Sequence, residues 1–336
     1  MLYLCGSKIF IEKILSKQFM TYKTFFIFMF FILQNTLIAN TLPILQKENE
    51  GFEVTLLQKI LRRTGYDVVL TGRFDDLTEM AVKKFQKREN IASSGIVNDS
   101  TWQRLLQHPA LKDNFLKGFD ISHYENEVFA NGEIPFDAIK QYDMEFCYSK
   151  ATHGGARKDE WFDFNWNKCR EKHILRGAYH LFSLLDDDID AQINNFLSLN
   201  INYLEPGILP AVLDVEEDVR NFNDANAILN RELIVARIRI WLNAVESATG
   251  RKPMIYTRKS FWEDILGNPT GFEDYPVWVA YYHEDTPPKI PNAWNGKWTF
   301  WQHTDKGNLK GAGKFDLNRF NGSYKELLMM ANYTVD

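Results

Sequence analysis

From Leu116 onward the chain alternates short apolar runs with amphipathic stretches, and this alternation constrains the fold more than any other feature. Candidate strands are 117–121, 145–151, 175–181, 208–215, 253–257, 277–281 and 298–302. Helical spacing fills several gaps between the earlier strands. The clearest case is 231–248, where Leu233, Ile234, Ile238, Trp241, Leu242 and Val245 form an apolar stripe. Towards the end helical spacing disappears and strands follow one another closely. A parallel barrel whose last quarter has lost its helices reads this way.

Residues 52–107 read differently, as a small helical unit. Val54, Leu57, Ile60 and Leu61 recur at helical spacing and Gly65 ends the run. A second helix near 77–88 carries Met80, Ala81, Val82 and Phe85, with Asp75 and Asp76 marking its start. The polar stretch 107–114 is the expected boundary to the larger domain, 116–336.

Charge is divided unequally, at +2 for 52–107 and −9 for 116–336. So acidic a large domain argues against nucleic acid, whose phosphates require clustered Lys and Arg. No Gly-rich phosphate loop and no G-x-S-x-G elbow appears, so nucleotide-binding and serine-hydrolase readings lose their main support. His173, His180, His283 and His303 lack metal-ligand spacing, so no metal and no cofactor is expected. His123 and His180 read as satisfied core histidines rather than bases.

The first forty residues read as an export signal, with the apolar run FFIFMFFIL at 25–33 between Lys23 and a polar stretch ending near Ala39. Met20 would give a signal of ordinary length and is the expected true start. Retained membrane anchoring through this segment is the alternative, and the destination is secreted, periplasmic or wall-associated. Cys5 falls in this segment, which leaves Cys147 and Cys169 either free and buried or paired. A monomer is the simplest expectation.

The chemistry is concentrated in LPAVLDVEED, 209–218. A buried strand ends where Asp214 and Glu216 begin, and strand alternation puts both carboxyls on one face. Two like charges in one pocket raise one pKa, so one carboxyl stays protonated as general acid while its neighbour stays charged. Glycosidic cleavage needs that division of labour. An acidic pair after a strand also commonly caps a helix or faces solvent. Two further acids weigh against that plainer reading: Asp120 in KGFDISHY and Asp316 in GKFDLNRF, each expected at a strand end on the same barrel face.

With these residues in view, 118–322 resembles glycoside hydrolase family 25, the Chalaropsis-type lysozymes. The matching runs are GFDISHY at 118–124, SKAT at 149–152, RGAYH at 176–180, LDVE at 213–216, MIYT at 254–257, PVWVAY at 276–281 and WQHT at 301–304, leading to DLN at 316–318. Residues 52–107 resemble the peptidoglycan-binding domain of cell-wall hydrolases, through LQ at 57–58, GY at 65–66, Gly72, Phe74, Thr78, AV at 81–82, FQ at 85–86, Gly95, TW at 101–102 and Leu105. These resemblances imply an α/β fold, an irregular TIM-like (β/α)5(β)3 barrel preceded by a small three-helix domain. They imply a peptidoglycan muramidase acting on the β-1,4 bond between N-acetylmuramic acid and N-acetylglucosamine, with net retention.

Carried over by position, Glu216 is the implied general acid/base and Asp214 its charged partner, with Asp120 and Asp316 completing the acidic cluster. Tyr179, Tyr256, Trp278, Tyr281 and Gln302 are the implied sugar-binding residues. The nucleophile stays open between an enzyme carboxylate and the substrate's own N-acetyl oxygen, the D-x-E spacing leaning to the second. Where the family commonly has an acid after SKAT's Thr152, this chain has His153, Gly154 and Gly155. The competing readings are a non-catalytic wall-binding protein, which would be marked by loss of one of the acids, and the same chemistry on chitin-like polymers. In the hydrolase reading, the small domain tethers the barrel to its polymer.

Overall fold

In the computed structural model the described residues are 40–112, 115–217, 223–283 and 285–335. The expected export segment, apart from its last residue, lies outside them.

Three helices form the small domain: α1 (Phe52–Arg63), α2 (Asp76–Arg88) and α3 (Asp99–Leu106). Asp75 and Asn98 cap α2 and α3, each side chain accepting from the backbone N–H three residues on. Gly65, at φ +93°, follows α1 in a conformation that other residues adopt with strain.

The large domain runs β1 (Leu116–Ile121), α4 (His123–Glu127), α5 (Phe136–Ile139), β2 (Met144–His153), β3 (Arg157–Lys158), α6 (Phe162–Glu171), β4 (Leu175–Leu181), α7 (Ile189–Leu197), β5 (Val212–Asp214), α8 (Asp224–Leu229), α9 (Arg231–Thr249), β6 (Met254–Thr257), β7 (Val277–Ala280), β8 (Phe300–Leu309), β9 (Gly313–Phe320) and α10 (Tyr324–Met330). Among the described residues eight strands close a barrel in the order β1, β2, β4, β5, β6, β7, β8, β9 and back to β1, with β3 hairpinned onto the end of β2. Seven run parallel. β9 alone runs against both its neighbours.

The alternating pattern is realised strand by strand. Ala178, Leu213, Ile255, Val277 and Val279 face outward and pack under α7 and α9. On α9 Ile234, Ile238, Trp241, Leu242 and Val245 are buried, each contributing about 1.5–3 kcal/mol. Leu233, expected in that stripe, is exposed, as is Met80 on α2.

The barrel interior is filled by rings: Phe146 against Phe300 at 4.8 Å, Tyr148 against Trp278 at 5.1 Å, and Phe300 against Phe320 at 5.0 Å. Glycines make the room. A Cβ on Gly177 would stand 2.0 Å from Tyr148, and one on Gly118 2.3 Å from Phe146.

Two elements depart from the expected layout. α10 follows the last strand, and its signal was present in the sequence as Ser323 and Glu326, which form a reciprocal capping box. The small domain is also not held by a linker alone. Its α1 packs on the base of the barrel, where Leu56, Leu57 and Ile60 share one continuous core with Phe146, Leu175, Tyr324 and Leu327. Lys59 Nζ donates to Glu145 Oε2 at 3.0 Å and to the Met144 carbonyl at 2.8 Å. Arg63 and the Tyr324 hydroxyl donate to the other Glu145 oxygen. Thr55 Oγ1 meets His173 Nδ1 at 2.7 Å, and Tyr333 donates to Glu53 at 3.1 Å.

Cys147 and Cys169 are both buried and free. That resolves the choice left open by the sequence.

Candidate active site

At the opposite end of the barrel, where the parallel strands finish, one cavity of about 120 Å³ is lined by Asp120, Asp214, Glu216 and Asp316 together with Tyr179, Tyr256, Trp278, Tyr282 and Gln302. The four acids arrive from three distant parts of the chain, Asp120, Asp214 and Asp316 each from a different strand and Glu216 just beyond Asp214. Asp214 is the last residue of β5, while Glu216 lies two residues beyond the strand. Asp120 is near the end of β1. Asp316 is not at a strand end as expected. It sits mid-strand in antiparallel β9, where it reaches the acid layer because it pairs directly with Asp120.

Gln302 organises this layer. Its Nε2 donates to Asp120 Oδ2 at 3.0 Å, to Asp120 Oδ1 at 3.2 Å and to Asp316 Oδ2 at 3.2 Å. Its Oε1 accepts from the hydroxyls of Tyr256 at 2.8 Å and Tyr282 at 3.0 Å. Those two donors fix which way the amide points. Asn318 repeats the device: Trp278 Nε1 donates to its Oδ1 at 2.8 Å, and its Nδ2 donates to Asp120 Oδ2 at 2.6 Å.

Burial dominates the electrostatics of all four acids. It raises Asp120, with the Asp316 charge acting the same way and the Asn318 and Gln302 amides pulling back. Asp316 is pushed up to about 7 by burial, then by the charges of Glu125, Asp305 and Glu216. Burial and the Glu216 charge raise Asp214, against the pull of Lys150. Glu216 is raised by burial, with Arg258 and Lys150 opposing. Protons are therefore held in this cluster closer to neutrality than ordinary carboxyls hold them. Asp214 lines the cavity, and its Oδ1, turned away from the accessible space, is buried with no hydrogen-bond partner among the described residues.

A second, larger cavity of about 590 Å³ adjoins the first through Glu216 and Tyr282, and is walled by Arg258, Tyr281, His283 and Lys289 among others. Tyr281 lines this cavity, not the acid pocket. Trp278 touches the acid pocket from below, with most of its ring packed against Tyr148 and Tyr256. Tyr282 escaped the sequence reading, although it follows Tyr281 directly. β7 ends at Ala280, so strand alternation no longer tells which of the two tyrosines faces inward.

Three histidines, His180, His123 and His153, are structural in their contacts. His180 is buried between Thr152 at 2.7 Å and Gln192 at 3.2 Å, and burial pushes its pKa down to about 3. His123 Nδ1 meets Asp159 Oδ2 at 2.7 Å. His153, at the position where the acid is missing, is buried and meets Arg157 at 3.0 Å.

Comparison with known proteins bears on this site. The family "Glycosyl hydrolases family 25" matches residues 119–312, and "Putative peptidoglycan binding domain" matches 50–105. The chain is 38% identical to the uncharacterized protein YegX of Escherichia coli K12, over 63% of this chain and 72% of that one. It is 32% identical to Lysozyme M1 of Streptomyces globisporus, over 65% of this chain and 72% of the relative. Among solved structures, the bacterial lysozyme from Streptomyces coelicolor superposes with a TM-score of 0.59 at 31% identity, over 66% of this chain and 99% of that one.

Proposed function

Because this chain belongs to glycosyl hydrolases family 25, we propose that it is a peptidoglycan muramidase that cleaves the β-1,4 bond after N-acetylmuramic acid with net retention. The observation that carries the reading is the convergence of four carboxyls on one cavity, with Glu216 at the junction to a larger one.

Glu216 is the general acid. Its raised pKa keeps it protonated closer to neutrality, and its position between the two cavities suits delivery of that proton to an oxygen joining sugars on either side. Asp214 is its partner. Its carboxylate lines the acid cavity and suits the N–H of a substrate acetamido group, and holding that group would turn its carbonyl oxygen towards the anomeric carbon. Bond breaking then proceeds with the acetamido oxygen as internal nucleophile, and water later opens the intermediate with Glu216 acting as base. Asp120 and Asp316, held by Gln302 and Asn318, form a proton-sharing pair whose remaining negative charge lies beneath an oxocarbenium-like centre. Tyr179, Tyr256 and Tyr282 wall the sugar, and Tyr281 meets the leaving portion in the larger cavity. The small domain adds affinity for the wall, and acting there requires export from the cytoplasm.

Digestion of purified peptidoglycan followed by mass spectrometry of the new ends tests the proposal. Reducing muramic acid is expected. Reducing N-acetylglucosamine overturns the bond assignment, and no released ends overturns the enzyme in favour of a binding protein.

A further inference from the structure

The way the small domain is fixed bears on how many polymer segments the protein holds at once, a question that rests on the wall-acting reading above. Eight consecutive α1 residues, 54–61, are buried, so this helix has no face left for a ligand. Lys59 and Glu145 are both nearly inaccessible, at 6% and 4% side-chain exposure, and their ion pair is closed by Arg63 and Tyr324. A buried charge cluster bonded across the junction, inside a shared apolar core, leaves no hinge there.

Direction follows from the strands. Met144 and Glu145 begin β2 and meet α1, whereas Asp120, Tyr179 and Asp214 lie at or near the ends of β1, β4 and β5 and line the acid cavity. The dock and the cleft are therefore at opposite ends of the barrel. Along β2 the five steps from Glu145 to Lys150 span about 17 Å, and two layers of helix, α1 and then α2 with α3, add about 10 Å each. Strand tilt shortens the axial distance, so the free surface of the small domain stands roughly 30–35 Å behind the acid layer. A single strand touching both would have to turn around the outside of the barrel wall.

We infer that this protein grips two separate stretches of wall glycan at once, one in the acid cleft and one on the outward surface of α2 and α3, at a separation that the barrel fixes. The partner is then a cross-linked or closely neighbouring pair of strands, and the small domain does not hold the strand being cut.

The test uses the full-length Glu216→Gln protein, with Asp214→Asn as the substitute should the first not fold, mixed with soluble glycan strands stripped of their peptide cross-links. Light scattering across a range of ratios is the measurement. Bridging predicts assemblies about ten-fold or more heavier than strand alone at intermediate ratios, dissolving again in excess strand as each site fills independently. Protein that binds the strands, by co-sedimentation with insoluble wall, yet never raises the scattered mass at any ratio overturns the inference. Release of reducing ends by the unsubstituted protein is scored separately: its absence sinks the muramidase reading, while the scattering result still decides the bridging.

Discussion

Asp120 and Asp316 stand directly opposite each other across the antiparallel β1–β9 pair, and a single amide nitrogen, that of Gln302, donates to both carboxylates. Like charges in this relation are tolerable only while donors or a proton separate them.

That proton has a consequence for stability. Asp316 titrates near 7 in the folded chain, against an ordinary carboxyl range near 4 when unfolded. The folded state binds the extra proton, so this group's contribution is fully present below about pH 4 and is lost as pH rises through about 7. Asp316→Asn should therefore be relatively more stable than the parent at pH 8 than at pH 4, by on the order of 1–3 kcal/mol. Chemical denaturation of both proteins at the two pH values measures it; an equal difference at both would refute the assignment.

Glu216→Gln should lower turnover on peptidoglycan by about 10³-fold or more, the upper part of the range for general acids, with a melting temperature no lower than the parent's above neutral pH. The amide matches the carboxyl in shape and removes a buried ionisable group. Retained turnover would move the acid role to another member of the cluster.

Arg258 lines the larger cavity and is the leading charge holding Glu216 down. In Arg258→Gln that restraint is gone, so the Glu216 carboxyl should keep its proton to higher pH. The alkaline limb of the kcat profile should move upward. A profile superimposable on the parent's would show that Arg258 does not set the acid.

Tyr282→Phe deletes one of two donors to Gln302 Oε1 and leaves Tyr256 in place. Stability should change by less than about 1 kcal/mol. Tyr282→Ala also removes a wall of both cavities, and its main effect should be a several-fold higher KM on wall fragments, read from steady-state kinetics.

Lys59→Ala strands Glu145 in the core with Arg63 and Tyr324 as remaining partners. A cost of about 3 kcal/mol is expected by urea denaturation, at the low end for breaking a buried pair. The paired change Lys59→Met with Glu145→Gln should cost less, since no unbalanced charge remains.

Much of this architecture is legible in the amino-acid sequence. Strand ends carrying Asp120 and Asp214 were legible because a buried strand leaves few reasons for a charge at its tip. Position 316 was legible as an acid but not as a mid-strand one, since pairing direction is not written in local periodicity. The Gln302 and Asn318 hub was invisible because its members meet only across the closed barrel. Lys59 was hardest. In VTLLQKIL, 54–61, the Thr, Gln and Lys look like a solvated helix face; Gln58 is covered within the small domain by Thr71, Arg73 and Thr78, but Thr55 and Lys59 meet partners on a second surface supplied by residues nearly ninety and more positions later.

The ring-filled interior described above also makes the barrel a blind vessel. Phe146, Tyr148, Trp278, Phe300 and Phe320, packed onto glycines that admit no larger side chain, close the floor beneath the carboxyls. Water, protons and product must all use the same doorway as the sugar. A ligand seated there occupies that doorway, so the titration of the buried acids in the complex differs from that in the empty cleft.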